Sequence, residues 1–255
     1  INEPYAYAAI TRDPETNETK YVIIEPVLSE EEKAKMDEIK EFLVDELDVN
    51  LKAMESKQRA EEYIKNKIQE IVKRYKIKID NAVLNKLMYF IWRDFVYLGK
   101  IEPLLRDHMI EDISCDGVEI PLYIWHRTYE SIPTNINFLS AEELNDFIVK
   151  LAYASGRHAS IAQPIVDAAL PDGSRVHLTY ASEVTRKGST FTIRKFRANP
   201  LTITDLIMIN SLSSEIAAYF WFLIEHKASV LIAGGTASGK TTFLNCCLLY
   251  TSPSP

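Results

Sequence analysis

The chain has 255 residues, enough for one large domain or two smaller ones. Hydrophobic residues make up 47% and charged residues 25% of it, an ordinary balance that excludes a disordered, collagen-like or disulfide-rich protein. No apolar run approaches the roughly 20 residues that cross a bilayer, and the N-terminal sequence shows no signal-peptide pattern. The three cysteines form no even framework, which favours a reducing, cytoplasmic setting.

The formal net charge of −7 disfavours general nucleic-acid binding, so we expect no nucleic-acid partner. The charge is uneven, however, because residues 175–197 hold six basic side chains against one acid, Glu183. The basic residues are Arg175, Arg186, Lys187, Arg194, Lys195 and Arg197. Such a stretch fits either a local anion site or a solvated strand face.

Residues 1–98 are predicted to form a strand pair followed by a helical region. The two strands flank a polar turn and are expected at Ala6–Ile10 and Lys20–Glu25. Apolar residues then recur at helical spacing in three helices. Ser29 and Glu32 form a capping box before the first helix, Asp80 begins the third, and Gly99 suits the left-handed position after it.

Residues 99–199 are predicted to form an α+β domain. Four strands are predicted, and alternating apolar and polar residues give the last two of them one buried face. These strands are Glu111–Asp116, Leu122–His126, Arg175–Tyr180 and Thr190–Lys195. A helix begins at a second capping box, Ser140 and Glu143, and ends before Gly156. The run Pro171-Asp172-Gly173-Ser174 is a strong turn signal, which gives Asp172 a structural role rather than an acid/base one.

Asn199-Pro200 is predicted to be a linker into a third region, residues 200–247. A helix is expected at Ser213–His226 and an apolar strand at Val230–Ala233. The strand leads into a glycine-rich segment that fits the pattern G-x-x-x-x-G-K-[ST] of a P-loop. The segment is Gly234-Gly235-Thr236-Ala237-Ser238-Gly239-Lys240-Thr241-Thr242.

The order of residues in this motif has a physical reason. Glycines permit a positive φ and a close approach of backbone N–H groups to phosphate oxygens, at the positive end of the following helix. Lys240 brings a charge to the β- and γ-phosphates, and the Thr241 hydroxyl is a ligand for Mg²⁺. The motif therefore predicts ATP and Mg²⁺ as cofactors. The alternative is a glycine-rich turn that binds nothing.

Two other groups of residues carry weaker signals. His158 and His177 could bind a metal, but the histidines lack the spacing of a metal site. Cys246 and Cys247 are adjacent, and a disulfide between them inside a helix would be strained. We expect both cysteines to be buried free thiols.

Several motifs occur together in a fixed order along the chain. They are Ser155-Gly156-Arg157, Pro164-Ile165-Val166-Asp167, Leu170-Pro171-Asp172-Gly173-Ser174-Arg175, Gly188-Ser189-Thr190-Phe191-Thr192-Ile193-Arg194-Lys195-Phe196 and the P-loop. This set resembles the type II/IV secretion system ATPases, the motors of secretion, pilus and archaellum machines. The resemblance covers residues 1–247, and residues 1–98 resemble the archaeal branch.

The resemblance implies an α/β fold with an N-terminal PAS-like α+β domain and the start of a RecA-like P-loop NTPase domain. It also implies a cytoplasmic homo-hexamer at the inner face of the membrane, which acts on a membrane platform protein and binds nucleotide between its two domains. Arginines of the N-terminal domain approach the phosphates in this family. The matching residues are Arg175 and Arg194, with Arg157 and Arg197 as weaker matches. The structural alternative for Arg194 is an ion pair with an acid such as Asp167 or Glu183.

The chain departs from the family pattern after Thr241, because few residues follow and none supplies the acidic Walker B segment. Residues 248–255 are expected to be a non-native or truncated tail. We therefore expect part of a motor ATPase that does not hydrolyse ATP as it stands. The alternatives are a non-catalytic interaction module that docks the machine, and a small P-loop kinase.

Overall fold

The computed structural model describes residues 4–14, 17–46, 56–185, 188–196, 201–235 and 238–248. The chain divides into two compact units, residues 1–196 and 197–255. Helices and strands are both present, which confirms the mixed α/β class. The predicted division at residue 98 falls inside the first unit, and the predicted linker Asn199-Pro200 lies outside the described residues.

The first unit begins with a hairpin and a helical bundle. Strand β1 (Tyr7–Arg12) pairs antiparallel with β2 (Thr19–Ile24). Helices α1 (Glu30–Glu46), α2 (Lys57–Arg74) and α3 (Asn81–Phe95) follow. Aliphatic side chains from all three helices form the core of the bundle, because each helix carries one apolar stripe. The fully buried members are Ile39, Leu43, Ile64, Ile68, Ile71, Leu87 and Ile91.

The predicted helix signals are present in this bundle. Ser29 N donates to Glu32 Oε2 at 2.8 Å and Glu32 N donates to Ser29 Oγ at 3.2 Å, so the first capping box is confirmed. At the start of α3, the Asp80 carboxylate accepts from Ala82 N at 3.3 Å. Gly99 has a φ of +62° and is left-handed as predicted, but it lies three residues past the C-cap Val96 and begins a 3₁₀ turn instead of ending the helix.

The rest of the first unit is a six-stranded antiparallel sheet in the order β5-β4-β3-β8-β7-β6. A 3₁₀ turn (Gly99–Ile101) and the short helix α4 (Glu102–Arg106) lead into it, and α5 (Ala141–Ala154) contributes to the same core. The strands are β3 (Ile110–Cys115), β4 (Tyr123–His126), β5 (Glu130–Pro133), β6 (Ile165–Ala169), β7 (Arg175–Thr179) and β8 (Thr190–Arg194). Alternate side chains face this core, and the others form an open face.

The second capping box is only half formed. Ser140 Oγ accepts from Glu143 N at 3.1 Å, as predicted. The Glu143 carboxylate, however, accepts from Leu139 N at 3.0 Å rather than from Ser140 N. Glu143 also forms an ion pair with Lys100, so its carboxylate has two partners outside the predicted box.

The second unit consists of helices in the part that the structure describes. They are α6 (Ile203–Met208), α7 (Ser214–Glu225) and α8 (Lys240–Leu248). The predicted strand at Val230–Ala233 is wrong, since these residues form no regular secondary structure and Leu231 is 92% exposed. A strand requires a neighbour to accept its hydrogen bonds, and no strand occurs among the described residues of this unit. No described helix is both long enough and apolar enough to cross a membrane.

Candidate nucleotide-binding site

The P-loop of the second unit leads directly into helix α8. Lys240 is the first residue of the helix, and Phe243 N donates to Gly239 O at 2.9 Å to close its first turn. Gly239 has a φ of +81°, which favours glycine. Backbone N–H groups in the first turn of a helix lack intrahelical acceptors, so this helix start is suited to bind an anion. Thr236 and Ala237 lie outside the described residues.

Gly234 lies close to Ser238 at the other end of the loop. A Cβ atom at Gly234 would lie 2.6 Å from Ser238 Oγ, so a side chain at this position would require the Ser238 hydroxyl to rotate away. Ser238 N lies 3.4 Å from Gly235 O, so the loop ends approach each other.

The Lys240 side chain folds back over the loop. Its Nζ donates to Gly234 O at 3.0 Å and also to Gly235 O. Phosphate oxygens are charged and therefore stronger acceptors than these carbonyl oxygens, so the ammonium group is placed to transfer to a bound phosphate. Thr241 is exposed in the first turn of α8, where its hydroxyl is available to a metal ion beside the phosphates. The described residues thus fit both a nucleotide and Mg²⁺.

The two arginines predicted to contact phosphate lie side by side on the open face of the first unit's sheet. Arg175 on β7 is paired in register with Arg194 on β8. Directly paired residues of antiparallel strands project from the same face, so the two guanidinium groups are neighbours. Arg175 is exposed, and the Arg194 side chain is 74% exposed.

Arg194 has an acidic partner that the sequence did not indicate. Its Nε donates to Asp112 Oδ1 at 3.2 Å. The sequence suggested Asp167 or Glu183 as the acid of a structural ion pair. Asp167 instead lies 2.6 Å from His177 Nδ1, and the Glu183 side chain lies outside the described part of the chain.

The basic stretch is not one continuous anion-binding surface. Lys195 points away from the open face, and its Nζ donates to Asp107 O and, at 3.3 Å, to Leu104 O. Burial lowers the pKa of Lys195 to about 8. Arg157 is exposed just after α5. The remaining basic residues, Arg186, Lys187 and Arg197, lie outside the described residues.

The predicted turn before β7 is confirmed and holds the end of the first unit. Gly173 has a φ of +86°, and its N–H donates to Leu170 O at 2.9 Å. The Asp172 carboxylate accepts from Ser174 N and Ser174 Oγ at 3.0 and 2.9 Å. Ser174 Oγ in turn accepts from Phe196 N at 3.0 Å. Asp172 therefore has the structural role that was predicted.

Cys246 and Cys247 are free and buried in α8, as expected. Cys246 Sγ donates to Leu201 O at 2.7 Å, and burial raises the pKa of both thiols. Neither thiol is therefore activated as a nucleophile. Among the described residues, no three or more histidine, cysteine, aspartate or glutamate side chains are clustered as a metal site would require.

The family model described as "Type II/IV secretion system protein" matches residues 97–254. The chain belongs to this family. An uncharacterized protein of Methanocaldococcus jannaschii, MJ0900, is 38% identical over 94% of this chain and 47% of its own length. A second protein of that organism, MJ1288, is 40% identical over 65% of each chain. A putative conjugal transfer protein of Mycobacterium tuberculosis is 27% identical over 61% of this chain and 45% of its own.

This family member therefore spans about half the length of its relative MJ0900. Two solved structures are also similar to it. The VirB11 ATPase of the Brucella suis type IV secretion system is 18% identical, with a TM-score of 0.38 over 58% of this chain and 51% of that chain. The Legionella pneumophila ATPase DotB is 21% identical, with a TM-score of 0.35 over 57% of this chain and 38% of that chain.

Proposed function

We propose that the chain is the nucleotide-binding part of a motor ATPase that serves a type II/IV secretion, pilus or archaellum machine. The observation that carries this proposal is the P-loop, in which Lys240 lies across the loop carbonyls at the start of α8. Membership of the type II/IV secretion system protein family supports the same proposed function. The full-length protein would hydrolyse ATP to drive a membrane platform protein, as a cytoplasmic hexamer at the inner face of the membrane.

The residues of the loop have separate proposed roles in binding ATP. The backbone N–H groups at the start of α8 hold the phosphate oxygens, and Lys240 neutralises the β- and γ-phosphates. The Thr241 hydroxyl holds Mg²⁺, which when bound offsets the negative charge of the phosphates. Arg175 and Arg194 of the first unit are proposed as a further set of phosphate contacts, because their guanidinium groups are adjacent and exposed.

The proposal is tested by measuring the affinity of the chain for ATP in the presence of Mg²⁺ by isothermal titration calorimetry. Lys240→Ala removes the charge at the loop and is expected to weaken ATP binding by about tenfold or more. Lys227→Ala, at the other described lysine of the second unit, is the matched control and should leave the affinity unchanged. Equal affinities of the wild-type chain and Lys240→Ala would refute binding at the P-loop.

Hydrolysis is tested in the full-length protein by steady-state phosphate release. We expect metal-dependent turnover that is lost in Lys240→Ala, since phosphoryl transfer depends on charge stabilisation at the phosphates. ATP binding without any turnover in the full-length protein would instead favour a non-catalytic module that docks the machine.

A further inference from the structure

The first unit contains a cavity of about 490 Å³ where its helical bundle meets the part that holds the sheet. The start of α2, the segment after α3, helices α4 and α5, and the turn between β6 and β7 each contribute to its wall. The volume lies within the range of about 300–1,000 Å³ that is usual for small-molecule sites. The described lining residues all lie between positions 56 and 172, so the cavity is a feature of the first unit.

Most of the wall is apolar, and it includes aromatic rings. Phe95, Tyr97 and Tyr153 contribute the rings, and Leu105 and Leu170 contribute aliphatic side chains. Aromatic side chains pack well against the flat rings of a ligand, either offset or edge to face. The cavity therefore suits a ligand with a flat, apolar body.

The charged side chains of the wall include two acids that are already bonded to neighbouring groups. Glu102 is only 8% exposed, and its Oε1 accepts from Arg106 Nε at 3.0 Å. The Asp172 carboxylate accepts from Ser174 N and Ser174 Oγ. Because a carboxylate with such partners is stabilised where it is, neither acid needs a cationic ligand to neutralise it.

Two lysines are the other charged residues of the described lining. Lys150 Nζ donates to the neutral backbone oxygen of Asp94. Lys57 Nζ lies 5.0 Å from the centre of the Tyr97 ring, and no acid among the described residues forms an ion pair with it. An anionic group is a stronger acceptor than a carbonyl oxygen or a ring face. The cavity thus combines apolar walls with ammonium groups that favour an anion.

We propose that this cavity binds a small organic anion with a flat, apolar body and one carboxylate group. The carboxylate lies at Lys57 and Lys150, and the body packs against the rings of Phe95 and Tyr97. This site is independent of the P-loop and goes beyond the proposed function. The competing account is structural: Lys57 and Arg106 only pack on the Tyr97 ring, and the cavity is a water-filled gap between bundle and sheet.

The class of ligand is tested by NMR titration of the full chain with naphthaleneacetate, naphthaleneacetamide and acetate. The first probe has both a ring system and a charge, the second has the ring system alone, and the third has the charge alone. Naphthaleneacetate should bind at least about tenfold more tightly than either of the others. Equal affinities for naphthaleneacetate and naphthaleneacetamide would overturn the proposal, and so would the absence of saturable binding.

The position of the carboxylate is tested with two exposed lysines of α2. Lys57→Ala should weaken naphthaleneacetate binding by about tenfold and leave naphthaleneacetamide binding unchanged. Lys65→Ala, about two turns further along the helix, is the matched control and should affect neither probe. Circular dichroism melts confirm that both variants are folded. An equal loss in the two variants would indicate general charge attraction and overturn the site.

The position of the apolar body is tested by filling the cavity. Ala154 is half-buried in the wall on α5, and Ala154→Trp should abolish binding of both ring-containing probes. Unchanged binding in a folded Ala154→Trp would place the probe elsewhere, such as on α7, and overturn the proposal. If this variant does not fold, the comparison of Lys57→Ala with Lys65→Ala still decides. Saturating Mg-ATP should leave naphthaleneacetate binding unchanged, and competition between them would assign the probe to the nucleotide site instead.

Discussion

Arg194 is a single residue whose surroundings allow a binding role to be separated from a structural one. Its side chain is 74% exposed and its ion pair with Asp112 is on the surface, where such pairs contribute about 0–1 kcal/mol to stability. Arg194→Ala should therefore reduce ATP turnover of the full-length protein with little change in melting temperature. Arg194→Lys should recover turnover only in part, because an ammonium group cannot form two parallel hydrogen bonds to phosphate.

Melting temperature and phosphate release are measured on both Arg194 variants. A large fall in melting temperature, with normal activity per folded molecule, would contradict a role in phosphate binding. That result would assign the Arg194–Asp112 pair to fold stability, and β3 and β8 would be the strands that it joins.

Lys195 follows Arg194 but faces the opposite side of the sheet, and its titration affects stability. Burial lowers the pKa of Lys195 to about 8, against about 10.4 in an unfolded chain. Between these values the unfolded state binds more protons, so this lysine makes the free energy of unfolding rise from about pH 8 to about pH 10. The buried Cys115 thiol, with its pKa raised to about 11, acts in the opposite direction.

Lys195→Gln isolates the lysine, because glutamine keeps N–H donors for Leu104 O and Asp107 O but does not titrate. We expect the stability of the wild type relative to this variant to increase from pH 8 to pH 10. Urea unfolding under reducing conditions measures both proteins, and the contribution of Cys115 cancels in the difference. Parallel pH profiles would show that Lys195 keeps an ordinary pKa.

At the level of secondary-structure elements, the strands with strong local signals were predicted from the sequence. β7 and β8 alternate clearly and begin at the predicted residues. β5 and β6 were missed, because Glu-Ser-Ile-Pro and Ile-Val-Asp-Ala-Ala are short and carry little alternation. The strand expected at Val230–Ala233 has a strong local pattern but does not form, because a local pattern does not supply a neighbouring strand to pair with.

The candidate site was predictable only where it is contiguous in sequence. The P-loop is visible as a motif because its residues act through one turn and one helix start. The contact of Arg194 with Asp112 was not visible, since the two residues are 82 residues apart and meet only through strand register. Register depends on which faces are buried along all the strands, so it follows from the whole sheet.

At the scale of the whole molecule, the two units differ in how much apolar surface they bury. The first unit has one core between sheet and helix and another within its bundle. In the second unit, four large side chains of α7 are mostly exposed to water. Ile216, Tyr219, Trp221 and Phe222 are 48%, 61%, 57% and 56% exposed. Exposed apolar surface contributes none of the roughly 25 cal/mol per Å² that burial supplies, so α7 should open locally at low free-energy cost.

Limited proteolysis of the chain should therefore cleave first after residue 196 and leave a resistant fragment close to residues 1–196, identified by mass spectrometry. Mg-ATP should slow this cleavage if it binds the P-loop, because a ligand that binds only the folded state stabilises it. Lys240→Ala should be cleaved at the same rate with and without Mg-ATP. Uniform resistance up to α8 would contradict the difference in stability, and it would mean that the exposed face of α7 is covered in solution.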